Sequence, residues 1–165
     1  MIAILVLALL TSHCSARGPL PDPTCTPGAV ATTSLAIICG TTTEGRRHVT
    51  DATKRAVLAS YGVAWADHGA YEVDHLVPLE IGGSNDVANL WPEPWAEAHI
   101  KDVAENRAHR EVCAGRVTVE AAQAAFERDW PTSSASGPGT LRVTCDARRA
   151  RIDGVSNRRV ESVRR

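Results

Sequence analysis

The chain has 165 residues, enough for one domain with tails and one modest core. Its 18 Lys and Arg nearly cancel its 19 Asp and Glu, which excludes a whole-protein basic field as the source of nucleic-acid affinity. The hydrophobic share of 44% is ordinary for a globular domain, whereas aromatics are scarce, with four Trp, two Tyr and one Phe.

Ile2 to Leu10 is an uninterrupted apolar run, far below the ~20 residues that span a bilayer. Its length fits the apolar region of a secretory signal, and Cys14-Ser15-Ala16 offers small residues for cleavage. Residues 1–16 are therefore expected to be a signal peptide and the mature chain to be secreted, periplasmic or in the cell envelope. No Lys or Arg precedes the run, so a buried strand is the competing reading. Leu10-Thr11-Ser12-His13-Cys14 also has some likeness to a lipoprotein acylation site at Cys14, with the bulky His13 against it.

Residues 17–45 carry four Pro and read as an extended, Cys-containing segment with one short strand at Leu35 to Ile38. If Cys14 leaves with the signal, Cys25, Cys39, Cys113 and Cys145 remain. That even count in an exported chain favours two disulfides, with three pairings open. Thr50 to Tyr61 reads as a helix, with Thr50 as N-cap, Asp51 in the first turn and Gly62 just past the end. Trp65 to Ala70 is loop-like and holds an Asp67-His68 pair with no partner Asn at a suitable spacing.

Tyr71 to Leu76 alternates as a short strand does, and Gly82-Gly83 lets the chain turn back. Val87 to Trp91 returns as a second short strand containing Asn89, and Pro92 and Pro94 are expected to stop it. Ala96 to Val112 is helical in composition, with Gly115 as a stop. At about 100° per residue, His99, Asp102, Asn106, His109 and Cys113 fall within one arc of that helix, and Ala96, Ile100 and Val103 lie on an adjoining sector that can meet the hairpin. Thr118 caps a further helix whose Val119, Ala122, Phe126 and Trp130 face a core before Pro131 ends it. Residues 132–165 are read as a linker followed by a basic, disordered tail, with one short strand around Leu141 to Cys145. Seven Arg lie between Ala147 and Arg165.

The Asp74-His75 pair, Asn89 fourteen residues after His75, and a polar helix beyond it resemble the HNH endonuclease motif of the ββα-metal nucleases. The wider run from Tyr71 to Trp130 is similar to small exported bacterial proteins carrying that motif. It includes Lys101-Asp102, Glu105-Asn106, Val112-Cys113-Ala114-Gly115 and Asp129-Trp130. The resemblance covers about half the chain. It implies an α+β fold for residues 46–131: a β-hairpin and helix forming a ββα-metal finger, with additional packed helices and extended N- and C-terminal segments.

The resemblance also implies hydrolysis of nucleic-acid phosphodiesters, DNA before RNA, with one divalent ion, Mg²⁺ before Mn²⁺, Ni²⁺ or Zn²⁺. His75 would be the general base, Asn89 would orient its imidazole, and Asp74 would be a hard oxygen ligand. The helix ligand is left between His99 and Asn106, because Ala98 stands at the family's usual position. Glu72 and Asp102 are candidates for support around the ion, and Lys101 for a phosphate contact. With no Cys-x-x-Cys, the structural zinc site of some HNH proteins is not supported. Of the disulfide pairings, Cys39 with Cys113 is preferred, tying the N-terminal segment to the end of the metal-site helix. The rival readings are an exported, disulfide-stabilised binding domain without catalysis and a hydrolase of another phosphoester.

Overall fold

In the computed structural model the described residues are 13–135, with side chains through 131. The apolar run at Ile2, Cys145, the strand expected near Leu141 and the arginine-rich end lie outside them. The described part is mixed helix and strand: α1 (Leu35–Gly40), α2 (Asp51–Ser60), β1 (Tyr71–His75), β2 (Leu90–Pro94), α3 (Trp95–Cys113) and α4 (Val119–Ala135). Short 3-10 segments occupy Glu44–Arg46, Trp65–Ala70, Leu79–Ile81 and Val87–Asn89.

Leu35 to Ile38, expected as a strand, is helical. Ile38 N–H donates to the Ser34 carbonyl at 2.9 Å, and the Ile38 side chain is fully buried. The second helix forms as expected: the Thr50 hydroxyl accepts from Thr53 N–H at 3.1 Å, and Gly62 follows at φ +73°. Thr118 likewise caps α4 through Ala121 N–H at 3.2 Å. Val119, Ala122, Phe126 and Trp130 are all buried, as their spacing predicts. Near its end α4 kinks at Asp129, two residues before Pro131, whose ring cannot continue the helical hydrogen bonding.

β1 and β2 form a two-stranded antiparallel sheet in the register Tyr71–Pro94, Glu72–Glu93, Val73–Pro92, Asp74–Trp91, His75–Leu90. Pro92 and Pro94, expected to end the strand, stand within it. Both strands of a two-stranded sheet are edges, so a residue lacking N–H is tolerated there. Directly opposed residues share a face. Val73 and Leu90 therefore pack together against Val57 and Leu58 of α2, while Asp74 and Glu93 face Lys101 of α3.

The side of α3 that meets the fold is Ala98, Lys101, Ala104, Ala108 and Val112. Ile100 and Val103, assigned from the sequence to the hairpin contact, are 61% and 69% exposed. The main core joins α3 and α4 through Val112, Phe126 and Trp130 to Ile38, Val77 and Ile81. Between the strands, Gly82 sits at φ +94°, and a Cβ at Gly83 would meet the Val77 carbonyl oxygen at 1.8 Å. Only glycine fits there, which folds the loop tightly back beneath β1.

Two disulfides brace the chain. Cys39–Cys113 is the preferred pairing and joins α1 to the end of α3. The second bond is Cys14–Cys25, so Cys25 pairs with Cys14 and not with one of Cys39, Cys113 and Cys145 as expected. Among the described residues no helix is long and apolar enough to cross a membrane.

Candidate functional site

β1 ends at His75, and its last two residues bring their side chains to one cleft of about 250 Å³. Neighbours on a strand normally point apart, so this convergence depends on the strand ending there. Asp74 Oδ1 lies 4.0 Å from His75 Nδ1. Glu80 enters from the 3-10 turn after Pro78, Asp102 and Glu105 from α3, and Glu44 and Arg47 from the segment before α2.

The amide that holds the imidazole belongs to Asn85. Its Nδ2 donates to the Arg46 carbonyl at 2.8 Å and its Oδ1 accepts from His48 N–H at 3.1 Å, which fixes the orientation of the group. Oδ1 can then only accept from His75 Nε2, 3.1 Å away, so Nε2 carries the proton and Nδ1 the lone pair. Burial pushes the imidazole down to about 4, so it is neutral near pH 7.

Asn89, assigned from the resemblance to orient His75, has another task. It is fully buried, receives Val77 N–H at 2.8 Å and donates to the Val77 and Ser84 carbonyls at 2.9 and 2.8 Å. It also accepts from Ala29 N–H at 3.3 Å. It clamps the loop that carries the site rather than the imidazole.

Lys101, considered for a phosphate contact, is 0% exposed. Its ammonium donates to Asp74 Oδ2 at 2.6 Å, to the His75 carbonyl at 2.8 Å and to Glu105, with Glu93 3.9 Å away. Burial by itself would lower its pKa, but Asp74, Glu105 and Glu93 together raise it, so it stays charged. Burial alone would raise Asp74, yet Lys101, helped by the neighbouring Glu93 carboxyl and the His75 backbone, outweighs it and holds the carboxyl near 2. Burial lifts Glu105 to about 8 and Glu93 to about 10. Both Glu93 oxygens are buried beside Asp74, a setting that a protonated carboxyl tolerates better than a carboxylate. Near neutral pH, Lys101 and Asp74 are thus the charged pair, while Glu93 and Glu105 hold their protons.

Neither candidate for the helix ligand lines the cleft. His99 is 72% exposed beside Asp102, and Asn106 Nδ2 donates to the Asp102 carbonyl of its own helix. Glu72 is on the sheet, bound by Arg47 at 3.1 Å, outside the cleft lining. Asp102, by contrast, does line it.

The cleft is lined by oxygen donors, the ligand type that a hard divalent ion takes. Glu80, Asp74, Asp102 and Glu105 offer carboxyl oxygens, and the buried Glu80 Oε2 has no hydrogen-bond partner. The cleft does not draw three such groups tightly together. Among the described residues, the one trio whose ligand atoms lie within 4.8 Å of one another is Cys39, His109 and Cys113. By proximity that trio could hold an ion, but its sulfurs form a disulfide. An ion in the acidic cleft would thus keep several waters, as Mg²⁺ does.

Asn85, Glu80, Glu93 and Glu105 received no role from the sequence. Their signals were weak: a polar residue after Gly82-Gly83, and a Glu between two prolines in an otherwise apolar run. No family model matches the chain, and neither does any curated protein or any solved structure.

Proposed function

We propose that the protein is an exported, divalent-ion-dependent endonuclease of the HNH kind, acting on DNA before RNA. The observation that carries this reading is the single cleft in which Asp74 and His75 meet Glu80, Asp102 and Glu105. Neutral His75 would accept a proton from the attacking water at Nδ1 while Asn85 keeps Nε2–H in place. Asp74 Oδ1 with Glu80, Asp102 or Glu105 would hold the ion, in place of His99 and Asn106. When bound, that ion would offset the phosphate charge and ease departure of the leaving oxygen. Arg47 on the cleft wall, 43% exposed, would receive a phosphate oxygen. Two disulfides suit an oxidising compartment, which supports export.

The capture of Asp74 Oδ2 by Lys101 favours a second reading, a disulfide-stabilised binding domain that keeps the motif for packing. Incubating the protein with plasmid DNA and with RNA, in Mg²⁺ or in EDTA, separates the two. Cleavage in Mg²⁺ that EDTA stops is expected. Intact substrates in Mg²⁺, Mn²⁺ and Ni²⁺ would overturn the nuclease reading.

A further inference from the structure

Beside the acidic cleft lies a second, larger groove of about 540 Å³, on the other side of Arg47, which lines both. Its volume is within the roughly 300–1,000 Å³ typical of ligand sites. Its chemistry is the opposite of the cleft's. The groove is walled by Trp65, Tyr71, Trp95 and His68, with Arg47 and Lys54 at its margin. Its one carboxylate, Glu72, is already bound by Arg47.

The distribution of aromatic residues makes this groove unusual within the chain. Of seven Trp, Tyr and Phe, Trp91, Phe126 and Trp130 are buried, and Tyr61 is tied to the Thr26 hydroxyl at 2.7 Å. The remaining three, Trp65, Tyr71 and Trp95, all line the one groove.

The groove is also braced. The Arg55 guanidinium lies 3.7 Å above the Trp65 ring, and His68 stacks on that ring at 4.4 Å, so Trp65 is a fixed wall. Trp95 is 42% exposed and pinned at its edge, its Nε1 donating to the Gly69 carbonyl at 3.1 Å. A large aromatic held by its edge with exposed surface is what a flat ligand needs to stack. Asp67-His68, the second Asp-His pair of the sequence, thus has a place: its imidazole helps build this wall.

From the geometry we infer that this groove binds an unpaired nucleotide of a nucleic-acid strand, its base against Trp95 and Tyr71 and its phosphates toward Lys54 and Arg47. Stacking accepts any base because every base has a π face, and the flanking cations follow the backbone. Arg47, shared by both cavities, makes the strand continuous from groove to cleft. A paired base cannot enter without leaving its stack, so single-stranded or locally opened substrate is favoured over intact duplex. The assignment takes its substrate class from the nuclease reading but concerns binding, which is measurable without cleavage.

The experiment is fluorescence anisotropy of a labelled single-stranded oligonucleotide, its duplex and a poly-glutamate peptide. Each is titrated with the full protein in EDTA. The single strand is expected to bind at least tenfold tighter than the duplex, and poly-glutamate weakly. Trp95→Ala should weaken single-strand binding by about tenfold, and Trp95→Phe should restore most of it. Lys54→Ala should weaken binding and flatten its salt dependence. Circular dichroism of each variant guards against unfolding, and Lys54→Ala, at a half-exposed position, tests the site should Trp95→Ala not fold. Equal affinity for duplex, strong poly-glutamate binding, or strand binding indifferent to both Trp95→Phe and Lys54→Ala would overturn the inference. Strand binding without cleavage in Mg²⁺ would leave it standing and remove the nuclease reading instead.

Discussion

His75 is the residue on which the proposed chemistry turns, and its surroundings set an unusual pH behaviour. Burial holds the imidazole near 4, below its ordinary value near 6.5. Between those values the unfolded chain binds a proton that the folded chain refuses, so stability is indifferent to His75 above about pH 6.5 and declines as pH falls toward 4. The base, however, stays unprotonated through that interval. The acid limb of cleavage rate against pH should therefore fall below pH 5, and a limb centred near 6.5 would contradict the assigned environment. His75→Ala should lower the rate by about two or more powers of ten, with His68→Ala as the comparison. The two asparagines should separate by readout. Asn85→Ala should slow cleavage with little change in the urea midpoint, since its other partners are backbone groups at an exposed and a part-buried position. Asn89→Ala strands several buried backbone groups and should cost about 2 kcal/mol or more of stability.

At the scale of elements, the two disulfides should differ in what they contribute. Cys39–Cys113 spans 74 residues and Cys14–Cys25 spans 11. Loop-closure entropy then assigns about 4 kcal/mol to the first and about 3 kcal/mol to the second. Cys39→Ser with Cys113→Ser should lower the urea midpoint further than the matching pair at Cys14 and Cys25, and the reverse order would mean that the long loop is not what the bond restrains. The first strand of the hairpin and helix α4 were legible from period and cap, because alternation from Tyr71 and the stripe from Val119 to Trp130 each fit one geometry, whereas the return strand begins at Leu90 and not at Val87. The buried side of α3 was not. Apolar Ile100 and Val103 face outward, while charged Lys101 faces inward, because the sheet opposite presents Asp74 from β1 and Glu93 from β2. Hydrophobicity cannot report a burial that is stabilised by charge. The helix residues that line the cleft were missed for a related reason: Asp102 and Glu105 reach it, while His99 and Asn106, the residue types the resemblance favours, do not.

For the molecule as a whole, Lys101 decides how folding relates to metal. In small metal domains the ion often supplies the folding energy, and chelators unfold them. Here an internal ammonium already neutralises Asp74 and approaches Glu105 and Glu93 from within. Thermal melting in EDTA should accordingly match melting in a Mg²⁺-free buffer within a degree or two, even where cleavage is abolished, and a collapse of the melting temperature on chelation would count against Lys101 as the resident counter-charge. Replacing Lys101 with Met should do what EDTA does not, and destabilise by about 3–5 kcal/mol, since carboxyls buried around it lose their cation. Such a protein can wait in a metal-poor compartment without losing shape. If the proposed activity holds, it would read out the surrounding ion supply, switched on by diffusion alone, with no refolding step between the dormant and the working form.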